Sequence, residues 1–379
     1  MTTNRSELTS RRVLALIRAA LHGTAPDENL FSDAGETGWT ELFEHAVAHG
    51  VMVLSLNGAM QLPKELHPPL ALKLRWIAGV EAVEKKYRHR VEAAKELAAH
   101  FRKNNIRMML FKGIALARLY PVPASREFGD IDIFLCGKAE EGDMLLEHIT
   151  GTKWSSSVKH ENFSYRGIVI ENHRTFLNRS NHKFFHRYEF LENQLLTLLA
   201  EAGITTETDF DASLSPDETL LFPPPDFDAL YIILHLLAHL PRNIVLRNLC
   251  DLTVLFTACY GKIDFPRYRN ALANAGLLKL ADAFISLSVK YLGLNPACAP
   301  PYESDLLLEN RLWNDLLNPE VCPLPKKHTL FNIIIYKFRL LRLHQWKYEL
   351  VFPGQFWKKI FHLPFFYLRH PGKIRKLRI

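Results

Sequence analysis

The chain has 379 residues, 48% hydrophobic and 23% charged, a globular composition spread over more length than one core usually fills. Its apolar runs are short and bounded by His, Pro or Arg, and its five cysteines (Cys136, Cys250, Cys259, Cys298, Cys322) are scattered singly; membrane spans, a disulfide framework and a structural zinc site are not expected, and a reducing cytoplasm is. The net charge of +7 is concentrated in residues 325–379, where 13 Lys and Arg face one acid, Glu349, a local +12 that leaves the rest of the chain at −5.

Residues 1–103 read as helices. Leu8, Val13, Leu14, Ile17 and Leu21 recur at helical spacing with Arg11, Arg12 and Arg18 between them, an amphipathic helix without the continuous apolar stretch of a signal peptide. A helix over 39–51 follows, then a long charged one over 70–101, with acid–base pairs such as Glu81 and Lys85 on its solvated face. The pattern changes at Ile106: residues 106–111 predict a buried strand, 114–120 a short helix stopped by Pro121 and Pro123, 130–135 a second strand and 140–149 a helix. Residues 163–171 predict a hairpin turning at Arg166-Gly167, or one strand with a bulge there. Helical periodicity returns over 184–202, 227–260 and 277–292, with a Pro-rich loop at Pro223-Pro224-Pro225. The expected organisation is a helical region over 1–103, a small α/β unit over 104–180, a helical domain over 181–324 and a basic, aromatic tail over 325–379.

The α/β unit carries the chemistry. In a strand, residues i and i+2 face one way, about 6.6 Å apart along the chain. Asp130 and Asp132 therefore share one face, with Ile131, Ile133 and Leu135 on the other. Two carboxylates this close repel unless a cation lies between them, and a divalent metal meets that need. The plainer alternative is a solvent-facing acidic strand edge. Against it, the pair is embedded in apolar residues, and Asp is disfavoured in strands without a reason. Glu171 supplies a third acid: Val169, Glu171 and His173 share a face of a later strand, so Glu171 reaches the same metal if the two strands are neighbours. Upstream, Lys112-Gly113 marks a strand-to-helix transition suited to close approach of a phosphate, and Lys112 and Arg126 add positive charge before the Asp pair.

Residues 109–116, Leu119-Tyr120-Pro121, and Arg126 followed by Asp130-Ile131-Asp132-Ile133 together resemble a bacterial family of uncharacterised nucleotidyltransferases, within the polymerase-beta-like nucleotidyltransferase superfamily. The resemblance runs from about Trp39 to Tyr260 and is strongest over 109–135. It implies an α+β fold, a small mixed-sheet nucleotidyltransferase core flanked by mainly helical N- and C-terminal regions. It further implies Mg²⁺ (or Mn²⁺) held by Asp130, Asp132 and Glu171, an NTP (ATP included) as substrate, and transfer of its NMP to an acceptor hydroxyl or phosphate. Lys112, Gly113 and Arg126 would then hold the triphosphate. Two departures stand out: the phosphate turn is Lys-Gly where Gly-Ser or Gly-Gly is usual, with 16 residues between Gly113 and Asp130, and the third acid is Glu where Asp is common. A non-catalytic nucleotide-binding or scaffold protein is the alternative.

His235 and His239 stand at i, i+4 on a helix, but the Glu of a zinc protease is absent and no third ligand is evident. Such a pair usually hydrogen-bonds inside a helical core, for instance to Asp251. The resembled family has a similar His and Asp pattern, which leaves His239 or Asp251 open as an acceptor-positioning group or general base, with His173 and His160 placed near the site by the same reasoning. The tail interleaves cations with aromatics, as in Trp346-Lys347-Tyr348 and Trp357-Lys358-Lys359. Its expected partner is first the acidic faces of the protein's own helical domain, then an anionic membrane surface, and last a nucleic acid. The corresponding location is the cytoplasm, peripheral at the inner membrane surface if the membrane reading holds.

Overall fold

The structure, a computed structural model, describes residues 2–151, 160–177, 185–204, 220–242, 244–319, 330–358 and 360. Much of the basic tail, including Arg369 and the cations from Lys373 to Arg378, lies outside the described residues, as does the side chain of His160. The chain divides into two units, Met1–Ile233 with Val245–Ser304, and Leu234–Ile244 with Asp305–Ile379.

In the first unit, α1 (Thr2–His22), α2 (Gly35–Ala48), α3 (Met52–Ala59) and α4 (Leu70–Lys103) form the helical N-terminal part. Trp76 of α4 is fully buried, with its Nε1 donating to the Met52 carbonyl at 3.0 Å and the rings of Trp39 and Phe43 edge-on to it. Residues 104–106 cap α4 rather than start a strand: Asn105 has φ +53° and the Ile106 N–H closes back on Phe101 O at 2.9 Å. The first strand is accordingly shorter than its apolar run.

The sheet consists of β1 (Met109–Phe111), β2 (Asp130–Phe134), β3 (His160–Tyr165) and β4 (Ile168–His173), in the order β1-β2-β4-β3. β2 pairs antiparallel with β1 and parallel with β4, and β3 closes the edge antiparallel to β4, so the sheet is mixed. Arg166 and Gly167 take φ +52° and +77°, the left-handed pair that a tight hairpin requires, which settles the hairpin against the bulged strand. Between the strands lie α5 (Gly113–Ala117), shorter than the apolar pattern suggests, and α6 (Ala139–Thr150). One sheet face is apolar: Leu110, Ile131, Ile133, Ile168 and Ile170 pack with Ala94, Leu97 and Phe101 of α4 and Leu146 of α6. This burial leaves the alternate residues of β1, β2 and β4 on the opposite face.

That opposite face meets α7 (Phe185–Glu201) and α8 (Pro225–His239) through aromatic residues. Phe176 lies against Phe111, Phe134, Phe227 and Tyr231, and buried Glu192 of α7 accepts the Phe176 and Leu177 N–H groups, each at 2.9 Å. The expected helical stretch over 227–260 is two helices: Pro241 interrupts it, and α9 (Leu246–Ala258) follows. α10 (Phe265–Asn274) and α11 (Leu278–Leu292) complete the unit.

The second unit contains α12 (Leu306–Leu317), α13 (Leu330–Leu343) and α14 (Gln345–Val351), with Tyr348, Phe356 and Ile360 as its small core. Two of the tail's cation–aromatic features are internal to it. Lys347 is buried and donates to Asp315 Oδ2 at 2.9 Å and Arg242 O at 3.2 Å, and Trp346 is covered by Arg311. Trp357 and Phe338 are exposed. Among the described residues no helix is long and apolar enough to cross a membrane.

Candidate functional site

Register decides what the polar sheet face brings together. Asp132 lies opposite Phe111 on one side and Glu171 on the other, and the chain leaves β1 directly into Lys112. Lys112 Nζ reaches Asp132 Oδ1 at 2.6 Å, and His173 Nε2 lies 2.9 Å from the same oxygen and 3.4 Å from Glu171 Oε2. The other oxygen, Asp132 Oδ2, is buried without a hydrogen-bond partner among the described residues. One donor atom from each of Asp132, Glu171 and His173 lies within 4.8 Å of the others. Asp130, half-buried and two residues earlier on the strand, is not in that trio, but its charge acts on Lys112.

The electrostatics follow from this arrangement. Burial opposes a charge on Asp132, yet Lys112 and His173 outweigh it and hold the carboxyl well below the usual carboxylate range. Asp130 goes the other way, raised first by burial and then by its neighbour Asp132. Burial pulls the Lys112 ammonium down, but Asp132, Asp130 and Glu171 more than restore it, so it stays charged. Lys112 is thus the cation coupled to all three acids. Two hard carboxylates beside an imidazole, one buried oxygen lacking a partner, and this surplus of negative charge fit a divalent cation.

Lys112 takes φ +57° and ψ −116°, an uncommon conformation for a side-chain-bearing residue, at the head of α5. Gly113 lies under the Phe128 ring, where an added Cβ would stand 3.0 Å from the ring edge. Arg126, expected beside it, is buried; its Nε and Nη2 donate to Asp251 Oδ1 and Oδ2 at 2.7 and 2.9 Å, and its Nη1 to Gly113 O at 3.3 Å. Tyr120 OH donates to Asp251 Oδ1 at 2.7 Å. Both Asp251 oxygens are thereby engaged by Arg126 and Tyr120. His235 and His239 have their rings 4.5 Å apart within the second unit. The backbone of His160 pairs with that of His173 across β3 and β4.

Two residues of this region carried no role in the sequence. Tyr120 stood in the resembled motif but had no visible partner, because Asp251 is 131 positions away. Arg90, one of many charged residues on α4, donates to Gly129 O at 3.3 Å and is within electrostatic reach of Asp130. Nothing local distinguished it from the solvated cations around it.

A mixed sheet with two acids on its central strand, a third in register beside them and a basic turn at its edge is suited to chemistry on phosphates. Residues 35–293, more than half of the chain, match the family described as uncharacterised nucleotidyltransferase, and the chain belongs to that family. The match is wider than the 39–260 resemblance and takes in α10 and α11. No curated protein and no solved structure matches the chain.

Proposed function

We propose that the protein is a Mg²⁺-dependent nucleotidyltransferase that moves an NMP from an NTP to an acceptor hydroxyl or phosphate. The observation that carries this reading is the Asp132–Glu171 register pair, with Asp132 Oδ2 buried and unpartnered beside it. Asp130, Asp132 and Glu171 would hold Mg²⁺ or Mn²⁺, whose chemistry is neutralisation of charge on the transferring and leaving phosphates. Lys112 and His173 both engage Oδ1, so Oδ2 is the Asp132 oxygen left for a cation. The same contacts fix the carboxylate plane. Lys112 also puts a positive charge at the β1–α5 turn, where the triphosphate would lie.

In the reaction the acceptor oxygen forms a bond to the α-phosphorus while the bond to pyrophosphate breaks, and the acceptor loses its proton. Family membership supports the general transferase class, and the three intact acids argue against a chain that keeps the fold without turnover. The test is incubation with each NTP, radiolabelled at the α-phosphate, Mg²⁺ and cell extract. Label transfer with pyrophosphate release, lost in Asp132→Ala, is expected. No transfer, with wild type equal to the variant, overturns the enzyme reading in favour of a non-catalytic nucleotide-binding or scaffold role.

A further inference from the structure

The approach to the carboxylate strand is tied to a helix far away in sequence. α9 holds it at two points. Asp251 grips the Arg126 guanidinium with both oxygens, and Arg247 Nη1 donates to the Glu127 carbonyl at 2.6 Å. Tyr120 adds a third bond to Asp251 from the end of the α5 segment. Every one of these groups is buried or half-buried. The Tyr120 hydroxyl keeps its proton, because burial and the neighbouring Asp251 push its pKa far up, so it remains a donor. Burial disfavours the Arg126 charge, but Asp251 more than restores it.

Arg126 has one edge left over, and that edge holds the phosphate turn. Its Nη1 donates to Gly113 O, in the Gly113–Ile114 peptide, one residue past Lys112. Lys112 is the residue with the uncommon φ +57°, ψ −116° backbone, and such a conformation persists only when its surroundings over-determine it. Three of its five N–H donors are engaged inside the protein, and the side chain is buried against Asp251 rather than presented to the turn's open side.

Building on the nucleotidyltransferase reading, we infer that Asp251 and Tyr120 are positioning residues for the triphosphate: through Arg126 they set the Lys112-Gly113 turn, and neither Arg126 nor Asp251 touches substrate. Asp251 thereby leaves the acceptor side and Arg126 the set of direct phosphate ligands. The acids that would hold the metal come from β2 and β4, which pair with each other through their own backbone register.

The experiment compares wild type, Asp251→Asn and the milder Tyr120→Phe, using three readouts: amide hydrogen exchange over 112–118, binding of Mn²⁺ alone, and binding of inorganic tripolyphosphate with Mn²⁺ present. Tripolyphosphate makes the result independent of the base. In both variants exchange over 112–118 should rise at least tenfold while 130–134 stays protected. Tripolyphosphate affinity should fall at least tenfold in Asp251→Asn and less in Tyr120→Phe, with Mn²⁺ affinity kept within twofold. Unchanged exchange and tripolyphosphate binding in Asp251→Asn, with transfer lost, would overturn the inference in favour of an acceptor-side role. Equal loss of every readout in both variants would overturn it in favour of a purely structural contact. A wild-type protein that binds neither probe overturns the nucleotidyltransferase reading itself, and with it the functional half of the inference.

Discussion

Asp132 and Glu171 stand opposite each other across the parallel β2–β4 pair, and His173 Nε2 lies between their carboxylates, 2.9 Å from one and 3.4 Å from the other. The pairing is parallel and joins strands that are not consecutive along the sheet-forming chain, so the contact exists only after the tertiary fold has formed. Its consequences can be measured.

Asp132→Asn keeps the shape and removes the charge at the centre of the site. Mn²⁺ affinity should fall more than tenfold and nucleotidyl transfer by roughly 10³-fold, the scale of losing a central charge-stabilising group. Lys112 also loses its buried partner, so the melting temperature should fall. Metal titration followed by pyrophosphate release checks both halves. Undiminished Mn²⁺ binding would remove Asp132 from the metal site.

His173 is buried, with its ring edge-on to Phe111 at 4.8 Å. If its work is to orient the Asp132 carboxylate, His173→Ala should weaken Mn²⁺ binding about 10–100-fold, the usual effect of losing such an orienting partner. His173→Gln keeps a donor and should recover part of that loss. Rescue by Gln separates orientation from packing, because Gln does not restore the ring contact with Phe111.

The carboxylate strand was legible because it breaks a local rule: Asp at i and i+2 inside an apolar run is costly unless a cation compensates the pair. Glu171 was legible only as a strand-face acid, since register is set by sheet pairing and not by spacing. The basic residues near the site are visible in the sequence, but what each one faces is not. Motif order points Arg126 at phosphate, whereas its partner Asp251 lies 125 positions downstream on α9. The helix over 227–260 reads too long because apolar periodicity continues past Pro241, which ends α8 by removing a backbone donor. The two units interleave in sequence, and no change of composition marks residues 234–244 as belonging with the C-terminal helices.

Gly58 and Gly79 give opposite expectations for the same substitution. A Cβ on Gly58 of α3 would stand 2.1 Å from the Leu16 carbonyl oxygen of α1, a clash with helix backbone that no rotamer change relieves. Gly58→Ala should therefore cost about 3 kcal/mol or more, the upper end of overpacking. On Gly79 of α4 the Cβ would meet only Met52 Sδ and Cε, at 3.2 and 3.4 Å, and a methionine can move. Gly79→Ala should be neutral or stabilising by up to about 1 kcal/mol through helix propensity. Thermal melts of the two variants test the pair.

Asp228 makes stability depend on pH in the direction opposite to an ordinary ion-paired carboxylate. Both its oxygens are buried without hydrogen-bond partners among the described residues, and Arg118 Nη2 comes no nearer than 4.0 Å. Burial pushes its pKa up to about 7, against the pull of Arg118 and Arg126. The unfolded chain titrates near 3.9, so between about pH 4 and 7 the folded state binds more protons than the unfolded one. Its contribution is fully present below about pH 4 and is lost as the pH rises through 7. Asp228→Asn cannot ionise and should escape that loss. At pH 8 it should be more stable than wild type by about 4 kcal/mol, from roughly three units at 1.36 kcal/mol each, and close to wild type at pH 4. Urea midpoints at the two pH values decide it. A variant destabilised at pH 8 would mean instead that the Asp228 carboxylate is ionised and paired with Arg118 in the fold.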